Sequence, residues 1–320
     1  MGTARGRYAP SPTGSIHLGN ARTALLAWLD ARAAGAAFVM RIEDLDRARV
    51  PADAEARLLD DLHWLGLDWD EGPERGGSLG PYRQSERAGR YAEAIARLLA
   101  AGRAFPCACS RADVARAASA PHGADDEGPR YPGTCRALPA AEVEARAAAH
   151  GRSPAIRFEG RCDALDFNDE FRGAVATGAG GIDDFVLRRA DGTAAYQLAV
   201  VVDDAAMGIT RVVRGDDLLG STPRQRALYA ALALAAPTFA HVPLVLAPGG
   251  ERLAKRTRPT SLADLRTRGV APEAVVGALG ASAGLCALGD RPRAWDLVSG
   301  FSLARIAREP VVVDAAMLAT

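Results

Sequence analysis

The sequence predicts an α/β fold: a doubly wound parallel sheet, broken by an inserted subdomain and followed by a C-terminal helical region. Three observations point there. Strand and helix patterns alternate through roughly the first hundred residues. A proline-stiffened turn separates the first strand from the first helix. Near Pro106 this alternation gives way to clustered cysteines and a polar stretch of small residues.

Taken in order, Arg5 to Ala9 reads as a short strand, and Pro10-Ser11-Pro12-Thr13-Gly14 ends it ahead of a helix from about Asn20 to Ala34. Ala36 to Glu43 is a buried-type strand, and Ala52 to Leu65 and Ser85 to Ala101 are amphipathic helices. The insertion follows, with the polar stretch Ser119 to Arg130 inside it. Strand-like runs return at Asp184 to Arg188, Ala195 to Val202 and Arg211 to Arg214. Thr222-Pro223 opens a helix reaching about Ala235, with proline at its first position. Val242 to Leu246 is a last buried strand, the loop around Lys255 comes next, and Leu262 to Arg268 and Pro272 to Ala283 are helical in pattern. The expected division is 1–105 and 176–260 for the two halves of the sheet domain, 106–175 for the insertion and 261–320 for the helical region. No internal repeat is present.

A chain of 320 residues, 48% hydrophobic, has enough apolar surface for a large core. It contains no run of about 18 apolar residues, and its first residues lead into a strand instead of a signal-peptide core. A soluble, cytoplasmic monomer with no membrane partner is therefore expected. Basic and acidic side chains number 39 each, which neither demands nor excludes a polyanionic partner. The five cysteines, an odd number, favour metal ligation or free thiols over a disulfide framework. Among the 39 basic side chains Lys255 alone is lysine, which singles it out as a place for a compact, mobile point charge.

The chemistry begins at Ala9 to Asn20, APSPTGSIHLGN. A helix N-terminus offers unpaired backbone N–H groups and a positive dipole end, so it suits a triphosphate. Gly19 permits close approach of the nucleotide, and His17 can donate to a phosphate oxygen as its charge grows. The turn resembles that of the glutamyl-type class I aminoacyl-tRNA synthetases, in which APSPTG precedes a HIGH-type tetrapeptide. Three more segments are similar to the same family: Arg41 to Asp46 (RIEDLD), Trp64 to Arg87 (with WLGLDWDEGP and GPYRQSER) and Tyr196 to Asp204 (YQLAVVVDD).

That resemblance implies a Rossmann-type class I synthetase domain that activates glutamate with ATP, accompanied by Mg²⁺. An α-amino dicarboxylate needs a cation for each carboxylate and an anion for its ammonium. By resemblance Arg7 binds the side-chain carboxylate and Glu43 the amino group, with Ala9, Ser11, Tyr196 and Arg214 completing the glutamate pocket. Pro12, His17, Gly19 and Asn20, with Arg252, Leu253 and Lys255, are the implied ATP contacts, and His17 and Lys255 the catalytic pair. Arg252 to Arg256 (RLAKR) stands where the family has its KMSKS loop, and Lys255 matches the second lysine of that motif. The first lysine is arginine here, and both serine positions are replaced.

Cys107-Ala108-Cys109 with Tyr131 and Cys135 offers three thiolates and a phenol, a tetrahedral Zn²⁺ set. The C-x-C spacing is tighter than usual, so free thiols remain open on spacing alone; the short glutamyl-like synthetases carry this arrangement, and the resemblance implies one structural zinc. Cys162 and Cys286 are assigned to packing. Only 65 residues follow Lys255, too few for a complete anticodon-binding domain. In this the chain resembles the glutamyl-Q tRNA(Asp) synthetases. The implied function is tRNA-independent formation of glutamyl-adenylate, then transfer of glutamate to queuosine in the anticodon of tRNA(Asp). The alternatives are a truncated glutamyl-tRNA synthetase charging a tRNA 3′ end, a nucleotidyltransferase acting on a small metabolite, and a catalytically silent RNA-binding or zinc-scaffold paralogue.

Overall fold

The computed structural model describes residues 4–46, 50–117, 130–160, 165–177, 181–246 and 261–312. Strand β1 (Arg5–Tyr8) passes through the proline turn into helix α1 (Leu18–Ala33) and returns as β2 (Ala37–Met40), parallel to β1 with Arg7 opposite Val39. Parallel neighbours need such a crossover, and the helix supplies it. α1 begins two residues before the expected Asn20. Leu25, Leu26, Trp28 and Leu29 are all fully buried, as befits a helix enclosed by other elements instead of one lying at a surface. It packs on β1, β2 and β8 (Arg211–Gly215), and also against α9 (Pro272–Ser282).

On the flank of β1 away from β2 lies β8, where the Thr210 N–H reaches the Arg5 carbonyl at 3.0 Å. β8 in turn pairs in parallel with β9 (Thr238–Val242). With β1 between β2 and β8, the chain leaves β1 on one side and comes back on the other, so the carboxyl ends of β1 and β8 border a crevice. Open α/β sheets bind their ligands at such reversals.

Helices α2 (Ala54–Trp64) and α3 (Ala88–Ala100) follow β2. After them come β3 (Ala104–Cys107), α4 (Arg111–Ala117), α5 (Ala140–Ala148), β4 (Ala155–Phe158), the hairpin β5 (Phe167–Asp169) with β6 (Gly173–Val175), and β7 (Val186–Arg188). β3, β4 and β7 form an antiparallel sheet, unlike the pairs above. Phe105, Cys107, Val114, Tyr131, Cys135 and Val143 make a small core beside it. Nearly all of the polar stretch Ser119 to Arg130 lies outside the described residues.

Four expectations are corrected. Ala195 to Val202 is not a strand: Tyr196–Ala206 is helix α6, and every residue from Gln197 to Asp204 is buried. A continuous apolar run reads alike for an enclosed strand and an enclosed helix, so periodicity could not separate them. Val242 to Leu246 is not one strand either. β9 ends at Val242, Pro243 has no N–H to continue a ladder, and Val245–Leu246 forms a separate strand, β10, parallel to β11 (Val311–Val312). α7 (Thr222–Ala231) stops short of the expected Ala235. Past α8 (Leu262–Thr267), the region expected to be purely helical therefore also holds β11, and Leu262, Leu265, Val275 and Val276 share one core with Leu25 and Trp28. No helix among the described residues is long and apolar enough to cross a membrane.

α6 is anchored by charge. Arg41, with no exposed surface, places Nη1 2.6 Å from Asp204, Nη2 3.3 Å from Glu43 and Nε 3.8 Å from Asp203. Asp203 also accepts hydrogen bonds from Arg87 (2.5 Å), Gln84 (2.8 Å) and Tyr91 (2.8 Å). Removing one partner from such a set leaves the others charged and dry. Asp203→Ala is expected to cost about 3–5 kcal/mol, seen as a lower urea midpoint at an unchanged m value.

Candidate functional site

The crevice at the ends of β1 and β8 is a cavity of about 480 Å³. Arg7, Ala9, Ser11, Glu43, Tyr196 and Arg214, distant in sequence, all line it, as do His17, Gly19 and Asn20. Pro12 instead lines a neighbouring groove of about 930 Å³, which shares Ser11, Thr13, Glu43 and Tyr196 with the first cavity and carries Arg111 and Arg189 on its walls. Arg252, Leu253 and Lys255 lie outside the described residues.

Arg7 is held within β1, its Nε 3.5 Å from Asp204 and without a hydrogen-bond partner in the protein. Arg214, on β8, donates from Nε to His241 Nε2 at 2.9 Å and from Nη2 to Thr222 Oγ1 at 2.8 Å. Its Nη1 is buried and has no protein partner. Both guanidiniums line the cavity, and their charge favours an anionic ligand there.

Opposite in charge is Glu43, whose N–H is tied to the Pro10 carbonyl at 3.0 Å and whose carboxylate meets Arg41. Burial pushes its pKa up, against the pull of Arg41 and Arg7. Tyr196 opens α6, and burial raises its phenol too, so it stays protonated and able to donate. Two cations, one anion and a phenol on one cavity wall match an α-amino dicarboxylate.

The other end of the cavity is built by the turn. His17 is the N-cap of α1, and its Nδ1 accepts the Asn20 N–H at 3.3 Å. Burial lowers its pKa, so the neutral ring carries its proton on Nε2. A neutral donor beside the positive end of α1 suits phosphate oxygens. Asp61 of α2 steadies the turn, accepting from Ser15 Oγ (2.6 Å) and the Ile16 N–H (3.0 Å). α8 adds the Leu262 N–H to the Ile16 carbonyl at 2.8 Å.

A second cluster lies apart from the cavity. The sulfurs of Cys107, Cys109 and Cys135 all fall within 4.8 Å of one another, and those of Cys109 and Cys135 are 3.7 Å apart. Tyr131 Oη is 3.4 Å from Cys107 and 3.9 Å from Cys109. Tetrahedral thiolates about 2.3 Å from Zn²⁺ stand about 3.8 Å apart, so this set fits a metal ion. Cys286 packs its sulfur 3.4 Å from the Gly277 carbonyl, and Cys162 lies outside the described residues.

Sequence reasoning missed the partners that hold the site: Asp204 beneath Arg7, and His241, Thr222 and Asp169 behind Arg214. Asp204 ended a recognised segment but had no assigned role. His241 had no motif to mark it, because its partners come from three other segments.

Comparison with known proteins agrees with this geometry. Residues 3–285 match the family model for tRNA synthetases class I (E and Q), catalytic domain. A glutamyl-Q tRNA(Asp) synthetase of Symbiobacterium thermophilum is 54% identical over 98% of this chain and 97% of its own. One from Nitratidesulfovibrio vulgaris is 47% identical over 98% and 97%. Among solved structures, a glutamate-tRNA synthetase from Elizabethkingia anophelis superposes with a TM-score of 0.85 at 29% identity, covering 99% of this chain and 69% of that one. The chain belongs to the class I tRNA synthetases of the E and Q type.

Proposed function

We propose that the chain activates L-glutamate with ATP, without needing tRNA, and transfers the glutamyl group to queuosine in the anticodon of tRNA(Asp). The observation that carries the glutamate half is the pair of incompletely satisfied buried guanidiniums, Arg7 and Arg214, sharing one cavity with the Glu43 carboxylate. In the first step the α-carboxylate attacks the α-phosphate of ATP, giving glutamyl-adenylate and releasing pyrophosphate. In the second a queuosine hydroxyl attacks the acyl carbon and AMP leaves. The nucleophile belongs to the RNA, so the enzyme's task is positioning and charge stabilisation.

In this reading His17, Gly19, Asn20 and Pro12 address ATP and its Mg²⁺, joined by Arg252, Leu253 and Lys255, with Lys255 neutralising the α-phosphate. Residues 106–175 form the zinc-bearing acceptor-type subdomain between the catalytic halves 1–105 and 176–260, with the helical region 261–320 after them. The groove beside the cavity carries Arg111 and Arg189 on its wall, in keeping with an RNA backbone whichever acceptor is used. The names of the relatives support queuosine. The monomeric, cytoplasmic state belongs to the same proposal.

Labelled glutamate is expected on queuosine-containing tRNA(Asp), and glutamate-dependent ATP–pyrophosphate exchange is expected without tRNA. Label confined to the 3′-terminal adenosine of tRNA(Glu) would establish the truncated-synthetase reading instead. Because Glu43 protonates at a higher pH than an exposed glutamate, its charge for the substrate ammonium fades as pH falls through that raised value. Glutamate affinity, measured by titration calorimetry, is expected to weaken over that acid range. Glu43→Gln should weaken binding above that value, converge with the unaltered chain below it, and so flatten the profile. Elemental analysis of the purified chain is expected to find about one zinc per molecule, held by Cys107, Cys109, Tyr131 and Cys135. Cys135→Ser should lose the metal and lower the melting temperature.

A further inference from the structure

His241, on β9 and with no exposed surface, lies between two buried groups that together dictate its protonation. Its Nε2 is 2.9 Å from Arg214 Nε, and its Nδ1 is 2.6 Å from Asp169 Oδ2. An arginine Nε only donates, so His241 Nε2 must accept, and the single ring proton sits on Nδ1, donated to Asp169. Burial lowers the histidine pKa, in keeping with a neutral ring.

Asp169 cannot turn to offer its other oxygen. Oδ1 already accepts the backbone N–H groups of Phe171 (3.0 Å), Arg172 (2.8 Å) and His241 itself (3.1 Å). Phe239 stacks on the imidazole at 16° between planes, and Thr222 Oγ1 stands 3.1 Å from its Nε2 while taking Arg214 Nη2. Two nitrogens of the Arg214 fork are thereby committed to the protein. Nη1 is left buried, without a protein partner, on a side chain that lines the cavity.

We propose that Asp169 and His241 are a positioning relay: Asp169 sets the histidine tautomer, and the histidine fixes the Arg214 guanidinium at the cavity wall to meet a carboxylate of the amino-acid substrate. The relay rests on the glutamate reading above. A guanidinium free to rotate would make the same contact only part of the time, whereas a locked one has already lost that freedom before the ligand arrives.

Three variants separate tautomer control from bulk. In Asp169→Asn the three backbone donors retain the carbonyl oxygen, so the amide nitrogen faces Nδ1, drives the proton to Nε2 and opposes Arg214. His241→Asn keeps a donor toward Asp169 but removes the acceptor for Arg214. His241→Gln puts an acceptor oxygen back near the Nε2 position. In ATP–pyrophosphate exchange, Asp169→Asn and His241→Asn are expected to raise the KM for glutamate about tenfold or more, with the KM for ATP within about twofold of the original. His241→Gln should recover most of that loss. Imidazole nitrogen NMR should show the His241 proton on Nδ1 in the unaltered chain and on Nε2 in Asp169→Asn.

An unaltered chain that exchanges, with the glutamate KM unmoved in both disruptive variants, would overturn the relay alone. So would a His241 proton found on Nε2 in the unaltered chain, or a parallel rise of both KM values with a lowered melting temperature. Absence of glutamate-dependent exchange in the unaltered chain would remove the substrate reading and the relay with it.

Discussion

Two adjacent aspartates on a buried helix set the terms for the rest of the molecule. Successive residues of a helix point about 100° apart, so Asp203 and Asp204 face different neighbours although they are joined in sequence. Asp203 is met by Tyr91 of α3 and by Arg87 and Gln84 just before that helix, while Asp204 is met by Arg41 and Arg7 at the ends of the parallel strands. A charge in a dry interior is tolerated only with partners in place, so these contacts determine where α3, α6 and the first two strands cross. The cavity-lining side chain Arg7 is one of those partners. Its place in the cavity is thus inherited from a constraint of folding.

The same economy governs the turn at the other end of the cavity. His17 ends the strand-turn segment, caps α1 and lines the cavity at once. Ser15 and Ile16 tie that turn to α2 and α8, elements from opposite ends of the chain. Rigid support from two directions is what allows a short loop to hold a donor in register with a phosphate.

Legibility in the sequence followed how local each signal was. The turn, α1 and the strands β1 and β2 were readable because their residues speak for themselves: prolines that stop a strand, an apolar run, a helix start. The grouping of Arg7, Glu43, Tyr196 and Arg214 in one cavity was reachable only by resemblance, since nothing in their spacing says that they converge. α6 was misread as a strand because burial on every side removes the periodicity on which such a reading depends. The strand expected at Val242 to Leu246 overlaps β9 only at Val242, because the apolar residues lie around Pro243 while the buried His241 interrupts the pattern of β9. His241 and Asp169 left no trace. A lone histidine acquires meaning from what the fold sets beside it, and those neighbours lie in β5, β8 and α7.

The donors left open on Arg7 and Arg214 also bear on the life of the protein when its cavity is empty. Two cations crowded at one cavity raise the energy of the folded state, a cost that an anionic ligand between them relieves and that the unfolded chain, in water, does not carry. Folding and occupancy are therefore linked, and the population of intact molecules rises with the concentration of the amino acid they use. Scarcity of substrate would be felt first as a slower reaction and then as shorter survival of the enzyme, through ordinary mass action and without any separate sensing element.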